Sequence, residues 1–333
     1  MAKHLVYVTR MIAEESLRLL TASAEVKIWR EELPPPRQTL LEQVRGVDGL
    51  LCLLTDRIDG AIMDSAPVLK VISNMAVGYD NIDIAVATER GIIIGNTPGV
   101  LSETTADLAF SLLMAVARRV VEADKYTRKG LWKTWGPMVL LGVDVHNATL
   151  GIIGLGGVGA EMAKRARGFN MRVLYYSRTR KQDKEKELGI EYIGSISELL
   201  SRSDFVSIHV PLSLDTQYLI GEKEFSIMKK SAILVNTSRG AVVDQKALYK
   251  ALKNGSIRSA AIDVCEVEPI PPDDPLLELD NIIFAPHIGS ASIATRTKMA
   301  VMAAENLIAG LKGNVPPNCV NPEVFNKRNR MRM

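Results

Sequence analysis

Short apolar runs and amphipathic stretches alternate along this chain almost from its first residue. His4 to Thr9, Glu25 to Trp29, Gly49 to Leu54, Lys70 to Ala76 and Gly91 to Gly95 are brief runs bounded by turn residues. Runs of that length predict buried strands, and most of the segments between them predict helices. Alternation of this kind predicts an α/β fold with parallel sheets covered on both faces. Pro34-Pro35-Pro36 marks a surface loop. A long helix is expected from Ser102, its N-cap, through Arg119 and beyond. Its apolar residues from Leu108 to Val121 spread too widely for a solvent-facing helix, which predicts burial between domains or subunits. A second array then starts, with strands expected at Thr149 to Ile153, Met171 to Tyr176, Phe205 to His209, Ala232 to Val235, Ala260 to Val264 and Ile282 to Ala285. A last helix covers roughly Ser292 to Leu311.

Composition narrows the class. A chain of 333 residues exceeds one ordinary core, so two domains are expected. With 47% hydrophobic and 24% charged residues it is globular. The net charge of +3 is small and dispersed, which argues against nucleic acid or an anionic membrane as partner. Only the run from Lys327 to Met333 is locally basic, and it reads as a frayed tail. Cys52, Cys265 and Cys319 are odd in number and have no metal or redox spacing. They are expected as thiols in a reducing compartment, with no metal site. The start shows no signal-peptide pattern, and no apolar run approaches the roughly 18 residues of a membrane span. The expected location is cytoplasmic.

The sharpest signal is Gly151-Ile-Ile-Gly154-Leu155-Gly156-Gly157-Val158-Gly159, which follows an apolar strand and opens a helical pattern from Ala160 to Arg167. Gly154 permits a tight turn, Gly156 lets the backbone approach a pyrophosphate, and Gly159 lets the helix pack on the strand. Free N–H groups at the helix start then face the phosphates. Strand, turn, helix and second strand together make this a dinucleotide-binding fingerprint. A ribose with a free 2′-hydroxyl is usually held by a carboxylate about 20 residues further on. That window reads Ser177-Arg178-Thr179-Arg180-Lys181, and no carboxylate appears before Asp183. Guanidinium forks suit a 2′-phosphate, so NADP(H) is expected over NAD(H), with NAD(H) still possible.

Further chemistry sits in three loops at the C-terminal ends of strands, where open α/β sheets bind ligands. They are Asn236-Thr237-Ser238-Arg239-Gly240, Asp263 to Pro269 with Glu268 inside it, and Pro286-His287-Ile-Gly289-Ser290. An Arg held by a turn is a bidentate clamp for a carboxylate. Of the 4 histidines, His4 and His146 read as structural or exposed, His209 ends a strand and can line a cofactor site, and His287 is fixed at a sheet end.

These loops, with the glycine fingerprint and Val77-Gly-Tyr-Asp-Asn-Ile-Asp83, resemble the D-isomer-specific 2-hydroxyacid dehydrogenases, most closely their glyoxylate/hydroxypyruvate reductases. The resemblance runs from about Leu5 to Val320. It implies two doubly wound parallel-sheet domains, with a Rossmann cofactor domain (101–286) inserted into a discontinuous flavodoxin-like substrate domain (1–100 and 287–333). It implies that Arg239 binds the substrate, that His287 is the general acid/base and that Glu268 pairs with the imidazole. Leu53, Val77, Gly78 and Ser290 would line the substrate, with backbone N–H groups near Val77 and Gly78 holding its carboxylate. Thr105 and Asp263 would lie near the nicotinamide. His209, Pro211, Thr216, Thr237, Ser238 and Gly289 would join the glycine turn and the Ser177–Arg180 window in binding the cofactor.

The reaction so implied is NADPH-dependent reduction of a small 2-oxo acid, glyoxylate or hydroxypyruvate, by a homodimer. One departure stands out: such reductases often carry a Trp three residues before the glycine matching Gly142, and here Val139 occupies that place, with Trp132 and Trp135 upstream. An NAD-dependent 3-phosphoglycerate dehydrogenase or another D-2-hydroxyacid dehydrogenase is the alternative enzyme. A dinucleotide-sensing corepressor is the alternative from a different class.

Overall fold

The computed structural model describes residues 3–325, so the basic run from Lys327 lies outside it. The chain divides into two compact units, one made of the residues up to Leu101 and from Ala291 onward, the other running from Ser102 to Ser290.

The first unit holds a five-stranded parallel sheet of β1 (Leu5–Val8), β2 (Glu25–Ile28), β3 (Gly49–Cys52), β4 (Val71–Asn74) and β5 (Ile93–Gly95). Its order is β2-β1-β3-β4-β5, the doubly wound arrangement with its switch point between β1 and β3. Successive residues of one strand serve opposite cores. Val6, Val8, Leu51, Val71 and Ile93 pack with Leu20 and the helix Ile293–Leu311. Tyr7, Leu50, Cys52, Ile72 and Ile94 pack with Leu40, Ile62 and Ala87 on the other face. Both faces are buried, which is why the runs are continuously apolar rather than alternating.

The second unit is a seven-stranded parallel sheet: β6 (Thr149–Ile153), β7 (Arg172–Tyr176), β8 (Glu191–Tyr192), β9 (Phe205–Ile208), β10 (Ile233–Asn236), β11 (Ser259–Ile262) and β12 (Ile282–Phe284). The order β12-β11-β10-β9-β6-β7-β8 reverses between β6 and β9, where a Rossmann sheet opens its ligand crevice. Helices Ser102–Ala117 and Gly157–Arg167 cover one face, and Ile196–Arg202, Glu222–Ile227 and Gln245–Lys253 the other.

Three expectations change. The helix from Ser102 stops at Ala117, because Arg119 turns left-handed (φ 54°), and a separate helix follows over Val120–Arg128. Phe110, Leu113 and Val116 are buried in the second unit's own core, against Leu150 and Val235. Ser102 is the first helical residue rather than the N-cap, a shift within the usual latitude of helix ends. The two-residue strand β8 carries too little apolar pattern to be read in advance. Strands also end earlier than their apolar runs: β4 stops at Asn74, yet Met75 and Ala76 stay buried in the loop beyond it. No helix among the described residues is long and apolar enough to cross a membrane.

Candidate active site

The glycine turn leaves β6 at the switch point. Gly154 has φ +98°, and a β-carbon there would stand 2.8 Å from the His209 carbonyl, so the turn admits only glycine. At Gly159 a β-carbon would lie 2.1 Å from the Gly154 oxygen, which shows how closely the helix Gly157–Arg167 approaches the turn. Gly156 differs: a β-carbon there would meet nothing within 4 Å. Open space at a helix start, with the first-turn N–H groups facing outward, fits a dinucleotide pyrophosphate. Leu155 and Val158 turn their side chains into the core, leaving only their backbone for a ligand.

Several other expected cofactor residues follow the neighbouring strands β7, β9 and β10. His209 follows β9, and its ring Nε2 meets the Ser207 hydroxyl at 2.8 Å. Burial pushes its pKa down to about 4, so the ring is neutral at physiological pH. Pro211 and Thr216 share one loop, where the Thr216 hydroxyl donates to the Pro211 carbonyl at 2.6 Å. The Thr237 hydroxyl is buried with no protein partner among the described residues, a donor held ready for a ligand. In the window after β7, Ser177 donates to the Thr179 carbonyl at 2.6 Å. Arg178 extends into solvent, while Arg180 is tied to Glu185 at 2.8 Å.

The candidate acid/base group is built from the ends of β11 and β12. Asp263, 2% exposed, accepts from Ile288 N–H (2.7 Å) and Gly289 N–H (2.8 Å), and its carbonyl accepts from His287 N–H (2.9 Å). That grip holds His287 at φ 55°, a left-handed conformation uncommon for a residue with a β-carbon. Burial raises the Asp263 pKa, and the two N–H bonds oppose the rise. The His287 ring meets Glu268 at 2.6 Å through Nδ1, and Glu268 also accepts from Cys265 N–H at 3.1 Å. With a proton on Nδ1, Nε2 is the ring atom left to exchange one. A β-carbon on Gly289 would lie 3.2 Å from both Asp263 and Thr105, so these three are neighbours. The same bonds attach residues 287–290 to the second unit, and Ser290 is its last residue.

Arg239 stands on a turn that Asn236 organises. The Asn236 amide donates to the Arg239 carbonyl (3.0 Å), and its oxygen accepts from the Ser238 N–H and hydroxyl at 3.0 and 2.9 Å. Arg239 Nη1 donates to the Ser238 carbonyl at 2.9 Å. A β-carbon on Gly240 would fall 1.9 Å from the Cys265 carbonyl, so this turn lies directly against the loop carrying Glu268.

Leu53, Val77 and Gly78 belong to the first unit, on loops leaving β3 and β4. Their carbonyls are held. Asn96 Nδ2 donates to Val77 O (2.8 Å), Asn74 Nδ2 to Gly78 O (3.0 Å), Asn81 Nδ2 to Leu53 O (3.1 Å), and Thr97 N–H to Ala76 O (2.9 Å). The C=O and N–H of one planar peptide point in opposite directions. Holding Ala76 O therefore aims the Val77 N–H, and holding Val77 O aims the Gly78 N–H. Buried Asp56 completes the frame, accepting from Leu53 N–H (2.8 Å) and from the Thr9 hydroxyl (2.5 Å). None of these supporting residues was expected from sequence. A recurrent signal was there to read: Asn ends β4 and β10, and another follows β5 directly.

A doubly wound sheet with a glycine turn at its switch point, and an imidazole–carboxylate pair beyond the ends of β11 and β12, fits a nicotinamide dinucleotide-dependent dehydrogenase unit. Residues 110–289 match the family model described as "D-isomer specific 2-hydroxyacid dehydrogenase, NAD binding domain". Over 324 residues the chain is 57% identical to a glyoxylate reductase of Korarchaeum cryptofilum, covering 97% of each chain. It is 52% identical to a glyoxylate reductase of Thermococcus litoralis, covering 96% of this chain and 97% of that one. Among solved structures, an NADPH-dependent glyoxylate/hydroxypyruvate reductase of Sinorhizobium meliloti, in complex with NADP and malonate, superposes with a TM-score of 0.85 at 30% identity, covering 96% of this chain and 97% of that chain. This chain belongs to the D-isomer-specific 2-hydroxyacid dehydrogenases. It is an NAD(P)-dependent enzyme of small 2-hydroxy and 2-oxo acids.

Proposed function

We propose that the enzyme reduces glyoxylate, and hydroxypyruvate beside it, to the corresponding 2-hydroxy acid with NADPH. The second unit binds the cofactor and the first contributes to substrate binding. The observation that carries the reading is the 2.6 Å contact of His287 Nδ1 with Glu268, on a loop against which the Arg239 turn packs. A bound reduced nicotinamide supplies hydride to the carbonyl carbon. Arg239 stabilises the negative charge that develops on the carbonyl oxygen, and His287 delivers the proton to that oxygen from Nε2. Glu268 holds the ring in the tautomer and orientation that present Nε2. The N–H groups of Val77 and Gly78 bind the substrate carboxylate, and Leu53 and Ser290 bound the space for its side chain. Asp263 and Thr105 support the nicotinamide end, and Arg178 binds the 2′-phosphate.

A second copy of the chain covers the segment after the helix Val120–Arg128. Leu131, Trp132, Trp135, Met138, Val139 and Leu141 are all at least 45% exposed, a concentration of apolar surface that a homodimer would bury.

The test is NADPH and NADH oxidation with glyoxylate, hydroxypyruvate, pyruvate and phosphohydroxypyruvate. Glyoxylate with NADPH is expected to give the highest kcat/KM among these pairs. Preference for phosphohydroxypyruvate with NADH would replace the reading with a phosphoglycerate dehydrogenase, and tight cofactor binding without turnover would replace it with a sensor.

A further inference from the structure

Two arginines stand in the window after β7, and the fold treats them differently. Arg180 lies against Glu185 as a fork on a carboxylate, with Nε at 2.9 Å and Nη2 at 2.8 Å. Its guanidinium also sits 5.5 Å from the centre of the Tyr192 ring. Glu185 accepts a further bond from the Tyr175 hydroxyl at 2.6 Å, and that hydroxyl accepts from Lys181 N–H at 2.8 Å. Tyr175 is fully buried near the end of β7, and its ring packs on Tyr192 at 5.4 Å. The far end of the 177–181 turn is thus pinned to β7, β8 and the helix Gln182–Leu188 at once. Its near end is closed by the Ser177 bond to Thr179.

Arg178 sits at the apex with no such commitment. Its side chain is 81% exposed, and its charge partner is Asp215 at 3.9 Å, itself 79% exposed. A solvated pair that long holds neither side chain in place. For Arg180 to reach a ligand, by contrast, it would have to leave a bidentate partner and strand Glu185. Arg180 and Tyr175 hold the Glu185 carboxyl down at about 2, while burial and that carboxylate push the Tyr175 hydroxyl up to about 12. The lock therefore keeps one protonation state around neutral pH.

Resting on the NADPH preference and the Arg178 contact proposed above, we propose that Arg180 with Glu185 is a positioning lock that presents Arg178 to the 2′-phosphate. Arg180 does not touch the cofactor. Its positive charge is already neutralised by Glu185, so its contribution reaches the phosphate only through the shape of the turn.

The experiment is calorimetric binding of 2′,5′-ADP and of 5′-AMP to the whole protein, with NADPH and NADH kcat/KM measured alongside. Arg178→Ala should weaken 2′,5′-ADP at least about tenfold and leave 5′-AMP unchanged, since charged hydrogen bonds carry about that much. Arg180→Ala and Glu185→Gln should each weaken it by a smaller factor of about three to five, and the double variant by no more than either alone, as members of one unit do. Arg180→Lys, which keeps an ion pair with Glu185, should recover part of the loss. Retained 5′-AMP binding shows that each variant is folded. The proposal is overturned if Glu185→Gln tightens 2′,5′-ADP, because a released Arg180 would then be a direct reader. It is equally overturned if Arg180→Ala costs as much as Arg178→Ala while Glu185→Gln costs nothing. Failure of the NADPH preference itself is visible separately, as equal binding of the two nucleotides by the unmodified protein.

Discussion

The two units hold the groups proposed to face ligand by different means, although the Asn236 turn of the second repeats the amide-to-carbonyl grip of the first and Asp56 of the first is itself held by a backbone N–H. In the first, side-chain amides of Asn74, Asn81 and Asn96 grip backbone carbonyls, so that backbone N–H groups are what the loops present. In the second, backbone N–H groups grip carboxylates: Ile288 and Gly289 hold Asp263, and Cys265 holds Glu268, so that a side chain, His287, is what stands ready. The difference teaches what each unit is suited to do. A rigid N–H recognises an anion in ground and transition state alike, whereas an imidazole changes protonation during the reaction. The first unit should therefore govern affinity and the second the chemical step.

The sharpest way to break that division is His287→Ala. Loss of a positioned acid/base group is expected to lower kcat about 100- to 10,000-fold, with a small change in KM for glyoxylate. Steady-state kinetics in which KM carried the loss would reverse the assignment. Next comes Glu268→Gln, which keeps the shape but removes the charge that orients Nδ1–H. A fall in kcat on the order of 10- to 100-fold is expected, as for misplacement of a reacting group. Turnover indistinguishable from the parent's would reduce the 2.6 Å contact to a bystander.

Asn96→Asp probes the other unit. The isosteric carboxylate cannot donate to Val77 O and would repel it, so the peptide that aims Gly78 N–H is released. KM for glyoxylate and the inhibition constant of oxamate should both rise by about tenfold, near the worth of one hydrogen bond to a charge, while kcat holds within about twofold. A loss confined to kcat would place this loop in the chemical step and dissolve the contrast.

The smallest effect concerns His209. Its pKa falls to about 4 in the folded chain against 6.5 when free, so between those values the unfolded chain takes up a proton that the folded chain refuses. Stability is thus complete above the free value and declines as pH falls towards the folded one. Going from about pH 7.5 to pH 5.5, the loss from this residue should be roughly 1 kcal/mol, and His209→Asn should remove that part of the slope in denaturant unfolding. Parallel slopes for the two proteins would mean that the ring is hydrated in the folded state.

Much of this organisation is legible without coordinates. Continuous apolar runs encode strands buried on both faces, and five of those in the first array and six in the second match observed strands within a residue or two. The glycine turn is legible because backbone conformation and close approach restrict residue choice at the position itself: Gly154 and Gly159 have no room for a β-carbon. What buries the helix from Ser102 is not legible in the chain for the complementary reason. Its apolar spread records burial but not by what, and the partner turned out to be the second unit's own sheet.

Sequence alone thus determined the two parallel arrays, the glycine turn and the strand ends that carry the candidate site residues, because each depends on local periodicity or on what one residue type permits. Tertiary structure decided which side chains are free to act. Arg178 and Arg180 look alike in the chain, yet one is exposed at an apex and the other is bound to Glu185, which Tyr175 holds in turn, and lies over the Tyr192 ring. Asn74 and Asn96 are unremarkable in sequence until β4 and β5 pair and bring both to one loop. A side chain's partner is fixed by which elements meet, and that meeting is a property of the folded chain as a whole rather than of any segment within it.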